Sequence, residues 1–298
     1  MEDIRHDRWK GKTGGTPWMQ RSLIWLFSWL DLRVMYSLMG FAILFYMLFN
    51  HKGYMSMYHF FRRRFGYSPL KSFLNVYANH FRFGQVILDR FASYAGKKFD
   101  MEIDGYEHFA QLDQADDGFE QLSSHIGNYE LAGYSLKSEH KNFNALVFSG
   151  ETETMMEGRN KMLGKNNIRM ISVQEDMSHI FTLNNALRDG EIVSMPADRI
   201  FGSTKYAECM FMGEIARFPL GPFALAVQRE VKVIAVFVMK KSVNKYKIYI
   251  RNIQTAPDST AVGKHKMKEL AQCFASEMEK IIRKYPTQWF NYFDFWEK

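Results

Sequence analysis

Between Phe119 and Lys284 the chain alternates short apolar or β-branched runs with longer segments of helical period. No other feature restricts the fold as much. The pattern predicts strands at Phe119–Ser124, Ala145–Ser149, Ile168–Val173, Glu191–Met195, Ala207–Met212, Val231–Val238 and Lys245–Asn252. It predicts helices at Asn128–Glu139, Thr152–Lys165, Met177–Arg188, Pro219–Arg229 and Thr260–Lys284, and a turn at Met212-Gly213. Helical crossovers bury both faces of a sheet, so the expected class is α/β: a mixed sheet flanked by helices. A chain of 298 residues can bury such a core without staples. Cys209 and Cys273 are too few for a disulfide framework or a cysteine zinc cluster.

The N-terminal part reads differently. Val34 to Phe49 carries no charge over sixteen residues, about 24 Å of helix against a ~30 Å hydrocarbon core. Its flanks are both basic: Arg5, Arg8, Lys10, Lys12 and Arg21 before it, Lys52, Arg62, Arg63, Arg64 and Lys71 after it. A spanning helix carries its excess of Lys and Arg on one side. Two basic flanks suit a helix or hairpin lying in an anionic headgroup region. His6, His51, His59 and His80 fall in this basic part and are expected to face water or headgroups.

Pro69 opens a long helical pattern in which Phe73, Val76, Tyr77, Phe81, Phe83, Val86, Ile87 and Phe91 recur at helical spacing. Asp100 to Glu120 then holds eight acids and no Lys or Arg, and reads as a solvated connection. The expected division is a membrane-associated helical segment over residues 1–97 and a globular domain over 98–298. The net charge of +7 implies an acidic partner. Nucleic acid is disfavoured, because the basic residues flank an apolar helix instead of lining a recognition element.

The stretch around Ser124 carries the chemistry. His125 follows a strand, Gly127 gives the turn its freedom, and Asn128 and Glu130 open the next helix. With His125 on that turn, the chain could fold the Glu130 carboxylate onto the imidazole. A carboxylate there holds one tautomer and favours the imidazolium formed when the ring takes a proton. That equips the pair to deprotonate a hydroxyl or an amine. A helix start would add free N–H groups for developing negative charge. A Ser124 nucleophile is disfavoured: neighbours on a strand end point to opposite faces, and no G-x-S-x-G elbow is present. No His/Asp cluster has metal-ligand spacing, so no metal is expected.

Five landmarks in order carry a family resemblance: S-H-I-G-N-Y-E at Ser124 to Glu130, G-R-N at Gly158 to Asn160, and A-L-R-D-G-E-I-V-S-M-P-A-D-R at Ala186 to Arg199, then F-M-G-E-I-A-R-F-P-L-G-P-F-A-L-A at Phe211 to Ala226 and Y-P-T-Q-W-F at Tyr285 to Phe290. The chain resembles the bacterial lipid A biosynthesis lauroyl/myristoyl acyltransferases and their superfamily of H-x4-D/E lysophospholipid acyltransferases.

The resemblance implies a glycerol-phosphate acyltransferase-like sheet. It implies transfer of a fatty acyl chain from an acyl thioester to a hydroxyl or amine of a membrane lipid. His125 is then the general base and Glu130 its orienting carboxylate, while Asn128, Arg159, Asp198 and Arg199 contact substrate. The family commonly reads Asp-Gln where this chain has Asp198-Arg199, a change that suits an anionic acceptor or a donor phosphate. No cofactor is implied beyond the donor, an acyl carrier protein or coenzyme A thioester. The expected place is the cytoplasmic face of the bacterial inner membrane. Two rivals remain on the same fold: a lipid hydrolase or thioesterase, and a catalytically silent lipid-binding protein.

Overall fold

A computed structural model describes residues 16–27, 29–49, 51–131, 136–147, 168–174, 176–200 and 205–296. Its centre is a seven-stranded mixed sheet. The strands are β1 (Asp100–Asp104), β2 (Phe119–Ser123), β3 (Phe143–Val147), β4 (Ile168–Ser172), β5 (Ile192–Pro196), β8 (Lys232–Lys240) and β9 (Lys245–Ile253). Their spatial order is β1-β9-β8-β2-β5-β3-β4, and only the β8–β9 hairpin is antiparallel. β6 (Tyr206–Phe211) and β7 (Glu214–Pro219) form a separate antiparallel ribbon. It turns at Met212 and Gly213, both in the left-handed region. The mixed sheet flanked by helices is the class expected from the alternation.

Helices cover both faces, so the central strands are buried on both. Every residue of β2 is buried, and in β8 only Lys232 is exposed. On one side Leu122, Val193, Ala235 and Phe237 pack with α6 (Ser178–Arg188), α7 (Gly221–Arg229) and α8 (Gly263–Lys284). On the other, Phe119, Ile192, Ile234 and Val236 pack with Phe109 and Leu112 of α5 (Tyr106–Gln114). The N-terminal layer comprises α1 (Pro17–Phe27), α2 (Leu32–Phe49), α3 (His51–Arg64) and α4 (Pro69–Tyr94). Ser68 caps α4 by accepting the amide of Lys71. Met57, Phe60 and Phe61 of α3 join the core beside Trp289.

Several expectations are corrected. The acidic run is not a loop: it contains β1 and α5. Its charges looked solvated because their partners lie far along the chain. Glu102 pairs with Lys245 and Lys247, and Asp104 with Lys247 and Arg251, all on β9. Pro219 does not open a helix but ends β7, where a missing N–H costs nothing in a two-stranded edge. The helix expected over Asn128–Glu139 is, where described, one 3-10 turn at Tyr129–Leu131. His80 is buried and donates from Nδ1 to the Val76 carbonyl, 2.9 Å away. The helix expected over Thr152–Lys165 lies outside the described residues.

Candidate active site

β2 and β5 are adjacent and parallel, with Leu122 opposite Met195 and Ser123 opposite Pro196. The ladder continues one step past the strands, as the Ala197 amide donates to the Ser123 carbonyl at 2.9 Å. The next residues out are His125 and Asp198, so the register brings them side by side at the carboxyl end of the sheet. That is where open α/β sheets place ligands.

The Asp198 carboxylate accepts two hydrogen bonds from one residue. The His125 backbone amide donates to Oδ2 at 2.9 Å, and the ring Nδ1 donates to Oδ1 at 2.8 Å. The Asp198 side chain is 1% exposed and that of His125 15%. Burial alone would raise the Asp198 carboxyl. The His125 charge, its two hydrogen bonds and nearby Arg199 outweigh this and hold it below the usual carboxylate range. With Nδ1–H committed to Asp198, Nε2 carries the ring's free lone pair.

The expected orienting carboxylate, Glu130, takes another position. It forms an ion pair with Arg90 of α4, Nε to Oε2, at 2.8 Å. The 3-10 turn that replaces the expected helix brings Glu130 to Arg90 of α4. Asp198, expected to contact substrate, makes the contact with His125 instead. Sequence spacing favours a partner five residues away. The one observed lies 73 residues away and becomes visible only once β2 and β5 are known to be neighbours.

The turn itself is tightly fixed. Gly127 has φ +60°, and a Cβ there would stand 2.1 Å from the Val238 carbonyl oxygen, so glycine is required. The Gly127 amide donates to the Gln288 carbonyl, and that of Asn128 to Val238, each at 2.8 Å. The Phe290 amide donates to the His125 carbonyl at 3.1 Å. The aromatic C-terminal segment, with Trp289, Phe290 and Phe295 buried, is therefore a brace for the His125 turn. Asn128 is buried and donates to the Tyr246 hydroxyl at 3.4 Å.

Two further groups flank the imidazole. The Tyr129 ring lies 5.8 Å from it, edge on. The Arg199 guanidinium donates to the Phe290 carbonyl at 2.8 Å and stands over the Phe293 ring at 5.5 Å. Burial lowers its pKa, and Asp198 opposes that shift. Arg159 lies outside the described residues. Among the described residues no three His, Cys, Asp or Glu side chains converge to hold a metal ion.

Residues 83–297 match the bacterial lipid A biosynthesis acyltransferase family, more than half of the chain. The chain belongs to that family. It is an acyltransferase of lipid biosynthesis, as the ordered landmarks implied. Among solved structures it is similar to the 1-acyl-sn-glycerophosphate (LPA) acyltransferase PlsC from Thermotoga maritima. The TM-score is 0.40 and the identity 12%, over 83% of this chain and 98% of that one. No curated protein matches it. Within this acyltransferase, the match takes in the sheet, the His125 turn, Asp198 and the C-terminal brace, and begins inside α4.

Proposed function

We propose that this acyltransferase moves a fatty acyl chain from an acyl thioester to a hydroxyl or amine of a membrane lipid, with His125 as general base and Asp198 as its orienting carboxylate. The observation that carries the reading is the His125 Nδ1–Asp198 Oδ1 bond of 2.8 Å. It leaves Nε2 unprotonated and able to take the acceptor's proton as the acceptor oxygen or nitrogen attacks the thioester carbonyl. The thiolate then leaves and receives that proton from the imidazolium, and the Asp198 carboxylate stabilises the charged ring in between. Arg199 supplies a fixed positive charge beside the dyad, suited to an anionic group on acceptor or donor. Arg159 completes the proposed substrate contacts, whereas Asn128, expected to be another, is buried against Tyr246 and is proposed to hold the turn instead. Glu130 acts with Arg90, steadying the turn from α4.

The lipid surface is proposed to meet the N-terminal layer, residues 1–97, while 98–298 carry the chemistry. Trp18, Trp25, Trp29, Leu38, Phe41, Phe45 and Phe49 expose large apolar surface. Exposed Arg21, Arg33, Lys52, Arg62, Arg63 and Lys71 lie in the same layer. Among the described residues no single helix is long and apolar enough to cross a membrane, and Leu32–Met47 and His51–Arg64 bend by 98°. Such a surface suits monotopic seating, where each Lys or Arg near an anionic leaflet adds about 1 kcal/mol. This supports the cytoplasmic face of a bacterial inner membrane as the place of action. The excess of base would also steer an acidic carrier protein as donor.

The test is an assay of purified protein on anionic vesicles with an acyl thioester of carrier protein or of coenzyme A, with and without a lipid acceptor. Acylated lipid that requires His125 is expected. Free fatty acid released without need of an acceptor would instead identify a thioesterase.

A further inference from the structure

Where α4 meets α2 and the β8–β9 hairpin lies a second buried polar cluster, centred on Asp89 of α4. The Asp89 side chain is fully buried, and three side chains donate to it: Lys240 at 2.5 Å, Tyr36 and Tyr246. Lys240 and Tyr246 face each other across the β8–β9 hairpin. Lys240 also donates to the Val243 carbonyl at 3.0 Å. Burial raises the Asp89 carboxyl and lowers the Lys240 ammonium, while each opposes the other's shift.

Two routes lead from this cluster to the His125 turn. Tyr246, whose hydroxyl donates to Asp89, accepts the Asn128 side chain at 3.4 Å. The Lys240 backbone exchanges two hydrogen bonds with the Gln288 side chain, at 2.8 and 2.9 Å. The Gln288 carbonyl holds the Gly127 amide. A third route leads outward: Tyr36 sits on α2, whose opposite face carries the exposed Leu38, Phe41 and Phe45.

We propose that Asp89 is a positioning residue that fixes the His125 turn through Tyr246 and Lys240, and that Tyr36 makes this placement depend on the seating of α2. The inference rests on the reading of His125 as catalytic base. α2 has no part in the sheet, yet its Tyr36 hydroxyl stands three hydrogen bonds from Asn128, through Asp89 and Tyr246. A shift of α2 on a lipid surface would thus reach the turn without any contact with substrate. A carboxylate with three donors has few alternative arrangements, so its partners move together.

Tyr36→Phe is the main test, since it keeps the ring and removes only the hydroxyl; Asp89→Asn is the stronger variant. Hydrogen exchange of the full chain on anionic vesicles is read for residues 124–131 and for β5, and kcat and KM are measured alongside. The expected result for Tyr36→Phe is faster exchange at 124–131 with β5 unchanged, and a kcat about tenfold lower at KM within about twofold, the signature of lost positioning without lost binding. Unchanged exchange at 124–131, or equal acceleration everywhere, would overturn the proposal. If wild type transfers no acyl group at all, the base assignment fails, and the exchange pattern alone still decides whether the turn answers to Asp89.

Discussion

Asp198 and Asp89 are both buried carboxylates set against a basic side chain, one at the carboxyl end of the sheet, the other under the N-terminal helices. Asp89 takes donors from three residues on three elements, and its cation, Lys240, is itself buried. Asp198 takes both of its bonds from His125, whose ring keeps an open edge. The closed arrangement has no valence left for chemistry and can only hold parts in place. The open one leaves a nitrogen lone pair on a ring that is partly exposed. Burial of charge is common to both, and what separates the scaffold from the proposed catalyst is whether one polar atom is left unspent.

The comparison is broken most severely by removing that atom. His125→Ala should lower kcat by about 10²–10⁴-fold, the usual contribution of a general base, with the variant's unfolding curve close to that of wild type. Activity near wild type in a folded variant would refute the assignment. Asp198→Asn should follow with a loss of roughly 10²-fold or more, because an amide can donate to Nδ1 and so favour the wrong tautomer. Nitrogen NMR of the histidine ring reports the tautomer directly.

On the closed side, Asp89→Ala should act on stability. It strands the Lys240 ammonium, and breaking a buried pair from one side costs about 3–5 kcal/mol. Replacing both groups, Asp89→Leu with Lys240→Met, should recover much of that in urea unfolding. Equal losses in the single and double variants would show that packing, not the orphaned charge, is at stake.

The smallest effect concerns Glu120, a third carboxylate, fully buried in β2 with no hydrogen-bond partner for either oxygen. Burial raises it well above the usual range. The fold favours its neutral form, so its effect on stability is most favourable below the unfolded carboxyl's pKa and worsens as pH climbs toward the folded value. Asp198 has the opposite sign: its contribution is present above the usual carboxyl range and is lost as pH falls through its lowered value. Glu120→Gln should therefore gain in melting temperature over wild type as pH is raised from 4 to 8. A difference that stays flat with pH would place the carboxyl in water.

Much of the sheet was legible because strands buried on both faces are written as apolar runs, and Val233 to Met239 could be little else. β1 was hidden by Glu102 and Asp104, whose partners on β9 lie about 140 residues away, and α5 by Asp113, which accepts from Ser138 and Glu139 beyond β2; sequence distance conceals such pairing. β7 was hidden by Pro219, which reads as a helix start but serves equally at a strand end. The site was half legible. His125 and Gly127 declare themselves by residue type and turn chemistry, and Asp198 and Arg199 stood out in a landmark. The pairing of His125 with Asp198 was not readable, since it depends on β2 and β5 being neighbours in register. The local candidate, Glu130, was more visible and is instead held by Arg90.

The most direct test of that pairing is the cost of Asp198→Asn in kcat for acyl transfer, measured in the wild-type and His125→Ala backgrounds. If Asp198 acts through the imidazole, the substitution costs roughly 10²-fold in the first background and little in the second. An equal cost in both, or none in the first, would contradict the account.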